Sequence, residues 1–189
     1  ACSDTTEWDG KYLMQNNYSY SKSLLKWSQK INAQFIHASS ASVYGLGVNG
    51  FKENRKCENP LNPYAFSKYF FDQYIRKVWK DITNQVVSLR YFNVYGPREM
   101  HKKNMASTIY HFHNQIKNEN FCKLFKGTNG YNNGEQMRDF IYVEDCVNVN
   151  LWFMQNKLKS GIYNLGTGKS ETFNSVANNI LDYHKSNKN

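Results

Sequence analysis

Apolar positions recur along the chain with two periods. Tyr20, Leu24, Trp27 and Ile31 fall at i, i+4, i+7 and i+11, which predicts a helix over residues 11–31 with these four side chains on its buried face. Residues 34–39 form a short apolar run ending in small hydroxyl residues, a strand, after which Val43, Tyr44 and Gly45 open a loop. Asn62 followed by Pro63 combines a capping side chain with the residue best suited to the first helical position, so a helix is predicted from there to about Lys80. Residues 85–92 are β-branched and aromatic, a buried strand broken at 93–97. Met105, Ile109, Phe112 and Ile116 repeat the helical stripe, and residues 123–125 and 138–143 read as strands around an Asn- and Gly-rich connection at 128–134. Val147, Leu151 and Met154 mark another helix. Residues 161–165 make a strand ending in Gly166-Thr167-Gly168, and Phe173, Val176 and Ile180 mark a last helix.

Strands alternating with helices imply α/β architecture, a Rossmann-like doubly wound parallel sheet with helices on both faces. A dinucleotide-binding sheet of this kind opens with a Gly-rich turn, and no G-x-x-G-x-x-G occurs in these residues; the Gly166-Thr167-Gly168 turn comes late. Either no dinucleotide is bound, or the first half of the sheet lies upstream of Ala1. The chemistry favours the second. The expected division is then 1–98 as the second half of the dinucleotide-binding domain and 99–135 as mainly a substrate-binding lobe. Residues 136–165 would return to the first domain with an interdomain strand, and 166–189 would start an incomplete C-terminal substrate lobe.

Composition narrows the partners. The 189 residues are 40% hydrophobic and 16% aromatic, enough for a folded core. A net charge of +9 could attract nucleic acid, but basic residues never exceed two in a row, so no nucleic-acid partner is expected. No apolar run is long enough to cross a bilayer, and no membrane partner is expected either. Cys2, Cys57, Cys122 and Cys146 lack metal-ligand spacing; free thiols in a reducing cytoplasm, and no metal, are the expectation.

Tyr64 and Lys68 stand four apart on a predicted helix and so share a face. A nearby ammonium can lower a phenol's pKa and let it exchange a proton with a substrate hydroxyl. Tyr18 and Lys22 match the same spacing, so context must choose. Ser40, at the end of the predicted strand, could hydrogen-bond the same substrate oxygen; Tyr18 has no such partner upstream.

Ser40, Tyr64 and Lys68, followed by the string Arg90-Tyr91-Phe92-Asn93-Val94-Tyr95-Gly96-Pro97-Arg98, resemble the extended short-chain dehydrogenase/reductases. Residues 1–10 (ACSDTTEWDG), 90–99 (RYFNVYGPRE), His101-Lys102, Met105-Ala106-Ser107, Arg138-Asp139-Phe140 and residues 150–153 (NLWF) resemble, within them, the ADP-L-glycero-D-manno-heptose 6-epimerases. The resemblance implies an isomerase that oxidises the sixth carbon of an ADP-heptose with NADP and returns hydride to the opposite face, supplying heptose for the lipopolysaccharide inner core. It also implies a cytoplasmic homo-oligomer, a pentamer. Tyr64, Lys102, Ser40 and Lys68 would be catalytic, with Lys102 a second, desolvated acid/base. Ala1, Cys2, Ser3, Asn16, Lys68, Val94 and Lys102 would line the cofactor. Asn93, Asn104, His111, Phe125, Lys126, Gly127, Thr128 and Arg138 would contact substrate, Arg138 because a planar guanidinium suits a diphosphate. The chain departs from the family pattern at Asn104, usually Ser, and in a longer 128–137 connection.

UDP-hexose 4-epimerases and sugar-nucleotide dehydratases share Ser40, Tyr64 and Lys68. Dehydratases carry an acidic pair beside the catalytic hydroxyl, where this chain has Ala41 and Ser42. A reading of another class is a non-catalytic remnant that keeps the fold.

Overall fold

The computed structural model describes residues 2–157 and 159–186. In chain order the regular elements are α1 (Gly10–Leu13), a π turn (Met14–Ser19), α2 (Tyr20–Lys30), β1 (Phe35–Ser40), α3 (Pro63–Lys77) and β2 (Val86–Tyr91). There follow β3 (Asn93–Tyr95), α4 (Thr108–Glu119), β4 (Met137–Tyr142), α5 (Val143–Gln155), β5 (Gly161–Leu165), β6 (Ser170–Thr172) and α6 (Phe173–Ser186). They form two compact units, 1–92 with 147–165, and 93–146 with 166–189.

The first unit is built on a three-stranded parallel sheet in the order β1-β2-β5. Central β2 is buried along its first five residues, as a strand flanked on both edges must be. Leu25, Phe71, Ile75 and Val86 form a core joining α2, α3 and β2, with Tyr18, Phe35 and Tyr74 packed around it. Burying a side chain such as Phe71 contributes about 2 kcal/mol. The α3 start follows the expected chemistry: Asn62 accepts from the Ala65 amide at 2.8 Å, with Pro63 in the first turn. It ends at Lys77 rather than Lys80, giving way to a short 3-10 turn.

Two apolar stripes face the other way from the expectation. In α2 the inward residues are Ser21, Leu25 and Ser28, whereas Tyr20, Trp27 and Ile31 are exposed. Small serines let the helix approach its neighbours closely, and Ser28 satisfies its hydroxyl on the Leu25 carbonyl at 2.8 Å. In α5, Val147, Leu151 and Met154 are likewise exposed, whereas Cys146 and Phe153 are buried, the Phe153 ring 5.4 Å from that of Tyr163.

The second unit has a sheet ordered β3-β4-β6, with β3 parallel and β6 antiparallel to β4. Phe112 of α4 packs with Phe173, Val176 and Ala177 of α6, and Ile109, Phe140 and Ile180 surround them. Residues 123–125 are not a strand: the Lys123 amide donates to the Gln115 side chain and the Phe125 carbonyl accepts from Gly134, so no ladder partner remains. The units part after Phe92 rather than after residue 98, because β3 pairs with β4, and for the same reason 137–146 belongs with the second unit.

Candidate active site

In the first unit, β1 delivers Ser40 at its carboxyl end and α3 delivers Tyr64 and Lys68 in its first two turns. Ser40 leaves the strand extended and its hydroxyl accepts from the Ser42 amide at 3.2 Å, which turns the chain into Ala41–Tyr44. Gly45 closes that turn at φ +60°, where a Cβ would lie 2.2 Å from the Asn59 carbonyl oxygen. Glycine fits there for both reasons.

Tyr64 and Lys68 are both buried, with the Lys68 Nζ 5.8 Å from the centre of the Tyr64 ring and donating to the Ala38 carbonyl at 2.8 Å. Burial pushes the phenol up, and its hydrogen bond with Ser40 works the other way. The expected lowering of the phenol by Lys68 is therefore not what the folded chain shows. Burial also pushes the Lys68 ammonium down to about 8, against the pull of Asp72 and Cys2. Tyr18 and Lys22 serve packing instead: Lys22 lies over the rings of Tyr18 and Tyr74, at 5.7 and 4.9 Å.

One turn beyond Lys68, Asp72 accepts from Ser39 at 3.0 Å, Ser88 at 2.8 Å and Arg90 Nε at 2.8 Å. Arg90 also donates to the Tyr44 hydroxyl at 2.8 Å and pairs with Glu58, which Arg76 holds from the other side. This chain of buried charges fixes α3 against the 41–58 loop that follows Ser40. Arg90 is pushed further up by Asp72, Glu58 and Tyr44, so it stays charged.

Of the expected cofactor residues in this unit, Ala1 lies outside the described residues. The Cys2 amide donates to Asn17 Oδ1 at 2.7 Å, and Ser3 is exposed. Asn16 folds its side chain back to the Tyr12 carbonyl at 2.9 Å. It is Asn17, fully buried in the π turn, that faces inward, bridging Cys2 to the Ser67 hydroxyl at 2.9 Å, which in turn donates to the Tyr64 carbonyl at 2.7 Å.

The second unit holds the remaining expected residues. Lys102 is not desolvated: its side chain is 43% exposed and its ammonium faces Glu99 at 3.4 Å. Val94 sits in β3; Asn93 donates to the Asp139 carbonyl at 3.1 Å, and Asn104 is exposed. His111 is half-buried, on α4. Phe125 packs on Phe173 at 4.7 Å between ring centres, and the Arg138 guanidinium lies over the same Phe173 ring at 5.7 Å. Lys126 and Thr128 are exposed, and the Gly127 amide donates to Asn133 at 2.8 Å. The long connection is pinned by Gln136 to the Lys126 carbonyl at 2.6 Å and by Asn174 to Glu135. The late glycine turn is filled by its own chain: Asp139 accepts from the Thr167 amide and hydroxyl and the Gly168 amide at 2.8 to 2.9 Å. Its donors are used, so it offers no cradle to a phosphate.

The sequence profile described as the NAD dependent epimerase/dehydratase family matches residues 1–166. This chain belongs to that family. A relative from Thiobacillus denitrificans, an ADP-L-glycero-D-manno-heptose-6-epimerase, is 57% identical over 94% of this chain and 53% of its own length. The crystal structure of the Helicobacter pylori ADP-L-glycero-D-manno-heptose-6-epimerase superposes with a TM-score of 0.84 at 37% identity, covering 97% of this chain and 56% of that one. A UDP-N-acetylglucosamine 4-epimerase from Methanobrevibacter ruminantium follows at 0.81 and 30%, covering 94% and 55%. The chain spans about half the length of the relatives it matches.

Within this epimerase/dehydratase chain, sequence reasoning missed Asn17, Asp72 and Arg90. Each is a polar residue where the pattern demands an apolar one, and that inconsistency is the signal that could have found them.

Proposed function

We propose that this protein epimerises ADP-D-glycero-D-manno-heptose at its sixth carbon to the L-glycero form, with NADP, as a step toward lipopolysaccharide inner-core heptose. The observation that carries the reading is Ser40, Tyr64 and Lys68 gathered at the carboxyl end of β1 and the start of α3, in a chain 57% identical to a heptose epimerase. The residues present suit the nicotinamide end of a dinucleotide. An ammonium has three donors, the Ala38 carbonyl takes one from Lys68, and a ribose diol is ligand chemistry that suits the rest. Cys2, Ser3, Asn16 and Val94 would line the same cofactor, and NADP rather than NAD rests on the resemblance. When bound, the nicotinamide supplies the hydride acceptor and donor.

The chain's own residues move the protons. Tyr64 would take the proton of the reacting hydroxyl as the carbon is oxidised, while Ser40 holds the same oxygen by hydrogen bonding. Inversion needs an acid/base on the other face of the carbon, and Lys102 is assigned to it. Lys102, exposed and paired with Glu99, would supply the proton as hydride returns to the opposite face. Arg138, lying over the Phe173 ring on which Phe125 also packs, suits a diphosphate next to an aromatic floor. Asn93, Asn104, His111, Lys126, Gly127 and Thr128 are proposed for the rest of the substrate. A pentameric, cytoplasmic enzyme is proposed on the same resemblance. Four free cysteines support a reducing compartment, and among the described residues no helix is long and apolar enough to cross a membrane.

The likeness to a UDP-N-acetylglucosamine 4-epimerase keeps a second reading, a UDP-hexose 4-epimerase. Incubation of the intact protein with ADP-heptose and with UDP-galactose, the epimers resolved by NMR, tests both. Conversion of the ADP-heptose alone is expected; conversion of UDP-galactose alone selects the second reading, and inertness toward every sugar nucleotide favours a non-catalytic remnant.

A further inference from the structure

Glu99 precedes Lys102 by one short turn, and only 3% of it is exposed. A buried carboxylate is tolerated only where donors satisfy it. Oε1 accepts from the Gly96 amide at 3.1 Å and the Ser107 hydroxyl at 2.7 Å; Oε2 accepts from the Ser107 amide at 2.7 Å and the Lys102 ammonium at 3.4 Å. One side chain thereby ties both ends of the 96–107 segment together. Those donors also hold its carboxyl below the usual range despite burial.

The segment needs such a tie. It consists of short 3-10 turns over Met100–Met105, and Lys103 sits at φ +50°, ψ −124°. That conformation costs a residue with a side chain about 1–3 kcal/mol and persists only where the surroundings over-determine it. The bonds from the Lys102 amide to the Glu99 carbonyl and from the Ala106 amide to the Lys103 carbonyl are local, 2.9 and 3.1 Å. The Glu99 carboxylate joins Gly96 to Ser107, and Ser107 caps α4 by accepting from the Tyr110 amide at 3.1 Å. The loop is gripped by three bonds while the ammonium is held by one long one. Lys102 is thus anchored at its backbone and free to move at its tip.

We propose that Glu99 is a positioning residue for Lys102, its carboxylate fixing the 96–107 segment so that the ammonium is presented for proton transfer. This rests on the assignment of Lys102 made above.

A kinetic double-mutant cycle in the intact protein tests it, with Glu99→Gln, Lys102→Met and both together. Glu99→Gln keeps the shape, but one edge of the amide now presents a donor to donors. It is expected to lower kcat about tenfold or more with KM changed by less than about threefold, because the interaction lost serves the chemical step. In the Lys102→Met background it is expected to cost nothing further. An equal loss in both backgrounds, or wild-type kcat for Glu99→Gln, overturns the proposal. If Glu99→Gln does not fold by circular dichroism, Ser107→Ala, which removes one anchor and leaves both charges, enters the same cycle with the same criteria. Near-normal turnover of Lys102→Met is a different failure, since it removes the assignment of Lys102 and the proposal with it.

Discussion

Arg90 Nε donates to Asp72 at 2.8 Å, and neither side chain has any exposed surface. Removing one partner leaves a buried charge without compensation, which costs about 3–5 kcal/mol. Arg90→Met and Asp72→Asn are each expected to lose that much in urea unfolding. Joint replacement by apolar residues of similar volume should cost less than the sum. Single losses below about 1 kcal/mol would show that the pair does not hold α3 to the 41–58 loop.

Tyr64→Phe and Lys102→Met should each lower turnover by about 10²- to 10⁴-fold, the usual worth of a positioned acid/base, with the fold intact. Oxidation and reduction are steps in series, so losing either group throttles the cycle. Tyr18→Phe is the control, because Lys22 uses that ring only for packing. Equal damage from Tyr18→Phe and Tyr64→Phe would leave the choice of Tyr64 without support.

Lys68 has its pKa depressed by burial to about 8, so between that value and its ordinary 10.5 the folded chain binds fewer protons than the unfolded one. Stability therefore rises with pH across this window, and the ammonium's full cost is felt below about 8. Lys68→Met removes that cost and gives up the Ala38 hydrogen bond, worth about 1 kcal/mol. Thermal unfolding without cofactor should show the variant at or above the parent at pH 7, with the difference shrinking toward pH 10, while NADP retention weakens. A lower midpoint at pH 7 that does not change with pH would contradict the assignment.

Asn17→Ala should leave the Cys2 amide without its acceptor, at about 1–3 kcal/mol, while the Ser67 hydroxyl keeps only its bond to the Tyr64 carbonyl. Cys2 should then react faster with a thiol reagent, read by mass spectrometry, because its segment is freed from the π turn. Unchanged labelling would mean that Asn17 does not hold the segment.

The alternation of elements, the Asn62 cap and the Ser40, Tyr64 and Lys68 set were legible in the sequence because each depends on local chemistry at fixed spacing. The inward faces of α2 and α5 were not. Both helices carry two candidate rows, and which one turns inward is decided by neighbours: serines win in α2 because small side chains permit close approach. Residues 123–125 have strand-like composition, yet strand formation needs a ladder partner that local sequence does not disclose. Lys102 was singled out by resemblance alone, and its pairing with Glu99, whose donors come from both ends of a segment, is not written in local spacing.

A π turn such as Met14–Ser19 closes i→i+5 bonds where an α turn closes i→i+4 bonds, so it holds one residue more than the helix on either side of it needs. With one residue fewer the turn could close as α, and Ser21, Leu25 and Ser28 would still face inward. What would be lost with the extra residue is the inward place of Asn17, between the Cys2 amide and the Ser67 hydroxyl. The extra residue therefore serves the anchoring of the Cys2 segment rather than the packing of α2.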